Sequence, residues 1–274
     1  MSLKSILIAV DSGKACAARV DYALALADKH DAHAMGLHVQ EVPEIPGYVM
    51  SQLTAEAVRV RDEALEEITQ KAQGIFDDSV RRAGRFDRSE WRAEIGDPAS
   101  ITANLGRYAD LIVAGQVDPD GDADQLVPED LVLSSGRPVL IVPHSFDYRA
   151  VGDHIVVAWN GSREGARAVS DAMPLLEASQ KVTVLVINQD QTVVDLPGSE
   201  IALHLARHGI EAEAVHVTSP TLEPADVLLN NVSDRGADLV VMGGYGTPRL
   251  REIVMGGMTR SILRHMTVPI LMSH

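Results

Sequence analysis

The sequence predicts an α/β protein made of two tandem doubly wound domains, each with a five-stranded, mainly parallel sheet. Three observations predict it. Strand-like apolar runs are unbroken rather than alternating, as in Ile6-Leu-Ile-Ala-Val10 and Ile155-Val-Val-Ala158, which implies burial on both faces and so a parallel sheet between helical layers. Each run leads into an amphipathic stretch and then another run, the alternation of an open sheet with right-handed crossovers. The pattern occurs twice in 274 residues, a length that suits two domains of ordinary size.

The first strand of each half ends in a short polar residue and a turn, Asp11-Ser-Gly-Lys14 and Asn160-Gly-Ser-Arg163. Ser12 and Ser162 are the expected caps of helices over residues 15–29 and 164–178, because a serine oxygen can accept an otherwise unpaired first-turn N–H. Second strands follow at residues 34–39 and 182–187. The first half then carries a longer segment, residues 41–90, in which a charge-rich helix is expected from Thr54 to Gly84 as a solvated or interdomain surface.

Third strands are expected at residues 91–95 and 212–217. Helices start after them at Gly96-Asp-Pro98 and Pro224-Ala-Asp226, since proline in a first turn gives up no hydrogen bond the helix needs. The fourth strands are near copies, Ala109-Asp-Leu-Ile-Val-Ala-Gly115 and Ala237-Asp-Leu-Val-Val-Met-Gly243, and fifth strands follow at residues 137–143 and 268–272. The polar stretch 144–153 separates the repeats, so domains are expected at residues 1–147 and 152–274.

Composition narrows the function. Apolar residues make up 46% and charged residues 23%, the balance of a folded globular chain. No apolar run approaches the ~18 residues of a membrane span, and the start lacks the regions of a signal peptide. Cys16 is the single cysteine, so an internal disulfide is impossible and a cytoplasmic location is expected. The net charge of −15 argues against nucleic acid or an anionic membrane as partner, since both demand clustered positive charge.

Ligands of open parallel sheets sit outside the carboxyl ends of the strands, after strands one and four. In the second half, strand four runs into Met242-Gly-Gly-Tyr-Gly246, then residues 247–255, then Gly256-Gly-Met-Thr259 at the start of a helix. Glycine lets backbone N–H groups come close to phosphate oxygens, and a helix N-terminus favours an anion. Between Gly243 and His265, Arg249, Arg251, Arg260 and Arg264 against Glu252 leave a local charge of +3. Such glycines also serve as plain turn residues. Position and charge together favour a phosphate cradle. It is neither a Walker loop nor a dinucleotide fingerprint, because the required lysine and the Gly-x-Gly-x-x-Gly turn are absent.

In the spacing of Gly243, Gly246 and Gly256, the chain resembles the universal stress protein family, in its tandem two-domain form. The resemblance runs through both halves, from the opening strand with its Asp or Asn to the Gly-Asp-Pro turn, the Ala-Asp-Leu strand and the closing strand. It implies a Rossmann-like fold, a regulatory role in stress, and binding of ATP or a related adenine nucleotide, with Mg2+ as its candidate companion. It also implies an intrachain pseudo-dimer, with a homodimer as a further candidate. By position, Ala158, Asn160 and Val186 are implied to face adenine and ribose, and Gly243, Gly246, Gly256, Gly257, Met258 and Thr259 to surround the phosphates. Met242 and Arg249 complete the implied nucleotide contacts. Two positions depart from the family pattern: Asn160 stands where it has an acid, and Gly257 where it has Ser or Thr.

The first half reads as unable to bind. After Gly115 it offers Gln116 and then Asp118, Asp120, Asp122 and Asp124, carboxylates that repel a triphosphate and lack the order of a calcium loop. Asp11 is expected to cap its helix. His38 reads as a core residue, His265 as a cation at a helix end, and Cys16 as a small apolar residue with no neighbouring cation. The ten histidines read as scattered, with no pair at metal-ligand spacing. Neither a catalytic set nor a metal site is expected. The resulting expectation is an ATP-binding regulatory protein with its site in the second half; the alternatives are a slow ATP-hydrolysing enzyme and a structural module without ligand.

Overall fold

The computed structural model describes residues 2–41, 54–119, 126–145, 150–188, 198–245 and 257–274. The first half contributes β1 Ser5–Ala9, β2 His33–Gln40, β3 Ser89–Ile95, β4 Leu111–Gly115 and β5 Val139–Val142. The second contributes β6 His154–Ala158, β7 Lys181–Ile187, β8 Ala212–Val217, β9 Leu239–Gly243 and β10 Ile270–Ser273. All ten join one sheet in the order β3-β2-β1-β4-β5-β10-β9-β6-β7-β8. That order is a palindrome when each strand is matched to its repeat.

Pairing is parallel within each half, and the two halves meet through β5 and β10, which run antiparallel with Ile270 opposite Ile141 and Leu271 opposite Leu140. The carboxyl edges of the two half-sheets therefore point in opposite directions. The sequence predicted the two half-sheets; their fusion into one rests on edge-to-edge pairing that periodicity does not encode.

Eight helices are described: α1 Cys16–Lys29, α2 Ala55–Ala83, α3 Pro98–Gly106, α4 Pro128–Ser134, α5 Arg163–Ala178, α6 Ser199–Arg207, α7 Pro224–Arg235 and α8 Gly257–His265. Alternate strand residues feed two buried layers. Ile6, Ile8, Val182 and Val184 pack beneath α1, α2, α5 and α6, while Leu7, Ile112, Leu185 and Val240 pack beneath α3, α4, α7 and α8. This two-sided burial is what the unbroken apolar runs required.

The repeated Ala-Asp-Leu motif has an atomic reason. Asp110 Oδ2 accepts the backbone N–H groups of Lys4 and Ser5 at 2.8 and 3.0 Å. Asp238 accepts those of Asp153 and His154, both at 2.9 Å. In each half the aspartate before strand four thus anchors the entry to strand one. Lys29, at the end of α1, donates to Val151 O at 2.9 Å and pairs with Asp153 at the same distance, tying the first half to the start of the second.

Helix ends follow local chemistry. Thr54 caps α2 by accepting Ala57 N–H at 3.2 Å, and Gly84 ends it at φ 66°; the helix buries Ala72, Phe76, Ser79 and Val80 against its own half. Ser162 caps α5 through Gly165 N–H at 3.0 Å. Ser12 does not cap α1, which starts after Ala15 without a side-chain cap. The turn there is closed by Asp11, whose Oδ1 accepts Gly13 N–H at 2.7 Å.

Candidate functional site

At the carboxyl edge of the second half, β6 ends with Ala158 beside Met242 of β9 and Leu185 of β7. Ala158 is half-buried and Asn160 beyond it is exposed. Asn160 Oδ1 accepts Ser162 N–H at 3.0 Å, which folds the turn into the capped start of α5. Gly243 lies against that start: a Cβ there would stand 2.5 Å from the Glu164 carbonyl carbon and the Gly165 nitrogen. Its glycine is thus demanded by strand–helix approach, and the approach brings the end of β9 next to the Asn160 turn.

Ala158, Asn160, Met242 and Gly243 accordingly share one edge. Met242 is buried, and Val186 is fully buried, its Cγ2 3.1 Å from where a Cβ on Gly198 would stand. Gly257 and Met258 are exposed at the first turn of α8, and Thr259 is buried. Among the described residues, no atom lies within 4 Å of a Cβ built on Gly257, so their packing does not demand that glycine. Gly246, Arg249, Arg251, Glu252 and Gly256 lie outside the described residues. Tyr245, within the glycine motif and not singled out by sequence reasoning, has φ 57° and a buried hydroxyl without a hydrogen-bond partner among the described residues. Burial and then the Glu129 carboxylate push its phenol well above the ordinary value.

The same address in the first half is built differently. Arg19 is buried, donating from Nε to Ala9 O at 3.0 Å and from Nη2 to Asp11 Oδ2 at 2.5 Å. A Cβ on Gly115 would collide with its Nη1. Burial works to raise the Asp11 carboxyl, but the Arg19 guanidinium and the Gly13 amide outweigh it and hold it below its ordinary value. Asp11 is therefore an ion-pair partner and turn former rather than a helix cap. Ala168 stands as far past Asn160 as Arg19 stands past Asp11, so the corresponding position in the second half brings no cation.

Cys16 is buried, burial pushes its thiol up, and Asp11 N–H points at its Sγ at 3.4 Å. The expectation of no neighbouring cation is corrected: Arg19, one helical turn on, acts on it directly. His38 Nδ1 bonds Val10 O at 2.9 Å and the ring stacks 6.4 Å from Trp91, leaving a buried Nε2 without partner among the described residues. Of the acidic run, Asp118 is described, while Asp120, Asp122 and Asp124 lie outside the described residues.

The histidines are less scattered than the sequence reading held. His204 and His208 meet at the end of α6 with ring centroids 4.9 Å apart, because residues four apart share a helix face; the spacing was visible in the sequence. Among the described residues, however, no group of three or more His, Cys, Asp or Glu is placed to hold a metal ion. His265 bonds Ser261 O at 3.0 Å within α8.

The model of the universal stress protein family matches residues 2–143 and again residues 152–274. The chain belongs to the universal stress protein family. Among curated relatives, this universal stress protein is 27% identical over 153 residues to universal stress protein Slr1230 of Synechocystis, covering 52% of the chain and 49% of that protein. It is 30% identical over 66 residues to universal stress protein YxiE of Bacillus subtilis, covering 24% of the chain and 43% of that protein. It thus spans about half the length of the curated relatives it matches. Its fold is similar to that of a universal stress protein from Archaeoglobus fulgidus, with TM-score 0.75 at 17% identity over 99% of this chain and 96% of that one. A putative universal stress protein from Pseudomonas aeruginosa aligns over 99% and 93% with TM-score 0.57 at 16% identity. No helix among the described residues is long and apolar enough to cross a membrane.

Proposed function

We propose that this universal stress protein binds one adenine nucleotide, ATP or a relative, at the carboxyl edge of its second half, and regulates a cytoplasmic stress response through the contacts that occupancy changes. The functional units are the halves at residues 1–147 and 152–274, associated as an intrachain pseudo-dimer. The observation that carries this reading is the difference between two equivalent addresses. In the first half Arg19 covers Gly115 and satisfies Asp11; in the second half Gly243 packs against the start of α5, Ala168 stands as far past Asn160 as Arg19 past Asp11, and no described atom lies within 4 Å of a Cβ built on Gly257.

The chemistry follows from the fold. Adenine and ribose lie along Ala158 and Asn160, with Met242 behind them and Val186 contributing through its main chain. The phosphates meet the first turn of α8, where N–H groups without helical partners and the helix dipole stabilise negative charge. Gly257 admits a close approach, Met258 flanks it, Thr259 is the hydroxyl of that turn, and Arg260 adds positive charge. Gly246, Arg249 and Gly256 complete the cradle by their place in the sequence. The described residues supply no carboxylate cluster for Mg2+, so the reading routes no step through a metal held by the protein.

Gly246→Asp and Gly256→Asp test the site, because each puts a carboxylate where phosphate oxygens are proposed. Equilibrium dialysis of the full chain with ATP is expected to show binding lost in both variants while far-UV circular dichroism stays that of the parent. Unchanged affinity in both would remove this loop as the site.

A further inference from the structure

We propose that Gln116, a residue of the first half, is a positioning residue for the phosphate-facing helix α8 of the second half; the inference rests on the nucleotide reading above. Gln116 follows β4 directly and is only 8% exposed. Its Nε2 donates to Leu263 O at 2.7 Å and to Arg264 O at 3.2 Å. Both carbonyls belong to the last turn of α8, where helical carbonyls lack internal partners. Its Oε1 accepts His144 N–H at 3.0 Å and lies 2.8 Å from His144 Nδ1. One amide thus grips the helix of one half with its donors and is held by its own half through its acceptor.

The internal symmetry shows what is special here. Gln116 N–H donates to Val142 O at 2.8 Å, and Gly244 N–H donates to Ser273 O at 2.9 Å, so the two residues are structural equivalents. Each abuts a helix of the opposite half, since a Cβ on Gly244 would stand 3.4 Å from Val132 Cγ1 of α4. Only the first half places a side chain at this position that can grip. This follows from the antiparallel junction, which sets the carboxyl edge of the first half beside the C-terminal end of α8.

Helix α8 has nine residues, a stiff rod of about 13 Å. Holding its last turn fixes where its first turn, Gly257 to Thr259, points. The half without a phosphate loop of its own therefore aims the loop helix of the other.

The test uses the full chain with Gln116→Met, which keeps the side-chain length and removes both donors together with the acceptor for His144. ATP affinity is expected to fall about tenfold, the scale of one or two lost hydrogen bonds, while adenosine affinity stays within about twofold. Exchange of α8 amides in the unliganded variant is expected to quicken. Gln116→Glu, which keeps the acceptor for His144 and sets carboxylate oxygen against the Leu263 and Arg264 carbonyls, is expected to show the same selective loss, at least as large, with far-UV circular dichroism of both variants that of the parent. Equal losses for ATP and adenosine would mean general loosening and overturn the proposal. Unchanged ATP affinity in a protein whose parent binds ATP would overturn it while leaving the nucleotide reading intact. A parent that binds no adenine nucleotide would overturn that reading, and unchanged α8 exchange in both variants would overturn the clamp itself.

Discussion

The guanidinium of Arg19 closes on the carboxylate of Asp11 at 2.5 Å, with side-chain exposures of 6% and 58%. The pair occupies, in the first half, the address that corresponds to the Asn160 turn of the second half. Because one partner is buried and the other is half in water, the two do not contribute equally. Removing Asp11 strands a buried cation, whereas removing Arg19 leaves a solvated carboxylate. Asp11→Ala is therefore expected to cost about 2 kcal/mol and Arg19→Met about 1 kcal/mol, both discounted for the solvent that screens Asp11. Urea unfolding near pH 7 measures both, and the reverse order would contradict the account.

The same pair sets a pH dependence. The folded Asp11 carboxyl titrates below its ordinary value, so the native state holds fewer protons there than the unfolded chain. Its contribution is complete above the unfolded carboxyl pKa of about 3.9 and is lost as pH falls through the lower folded value. The stability gap between the parent and Asp11→Ala is expected to hold from pH 7 to about pH 5 and to shrink below about pH 4. A gap that widens on acidification would sink the ion-pair assignment.

Two glycines of the second half separate packing from binding. At Gly243 a Cβ would stand 2.5 Å from α5 backbone, which can yield only by moving the helix, so Gly243→Ala is expected to lose about 1–3 kcal/mol of stability. Gly257→Ala meets no described atom within 4 Å and adds helix propensity, so its stability is expected to be unchanged or higher by up to about 1 kcal/mol. ATP affinity of Gly257→Ala should nonetheless fall. Thermal unfolding and dialysis of the two variants decide the matter, and a Gly257→Ala protein with parental affinity would count against a close phosphate contact there.

Asp110 and Asp238 make matching bonds to the entries of β1 and β6. Asp110→Ala and Asp238→Ala each lose two partly exposed hydrogen bonds and are each expected to cost about 1–3 kcal/mol, twice the net strength of an ordinary hydrogen bond. Amide exchange should quicken at Lys4 and Ser5 in the first variant and at Asp153 and His154 in the second. Exchange that quickens elsewhere instead would contradict the anchoring role.

How far the sequence could be read depended on the range of the interaction. Unbroken runs such as residues 6–10 announced two-sided burial, and the paired aspartates 110 and 238 announced the repeat, because both signals are local in sequence. Ser162 was recognised as a cap, but Ser12 looked identical and is displaced by Asp11, whose partner Arg19 lies one turn into the helix. Nothing in the spacing says that a buried arginine fills one half's site and an alanine the other's. Gln116 was read only as the residue that follows Gly115, since its partner Leu263 is 147 residues away and is brought to it by the β5–β10 junction.

The central claim is one competent nucleotide address per chain, in the second half. Calorimetric titration of the full chain with ATP tests it most directly, since the stoichiometry counts addresses. The account predicts one site per chain, abolished by Gly256→Asp and retained in Arg19→Met. No heat at millimolar ATP, or two sites per chain, would contradict it.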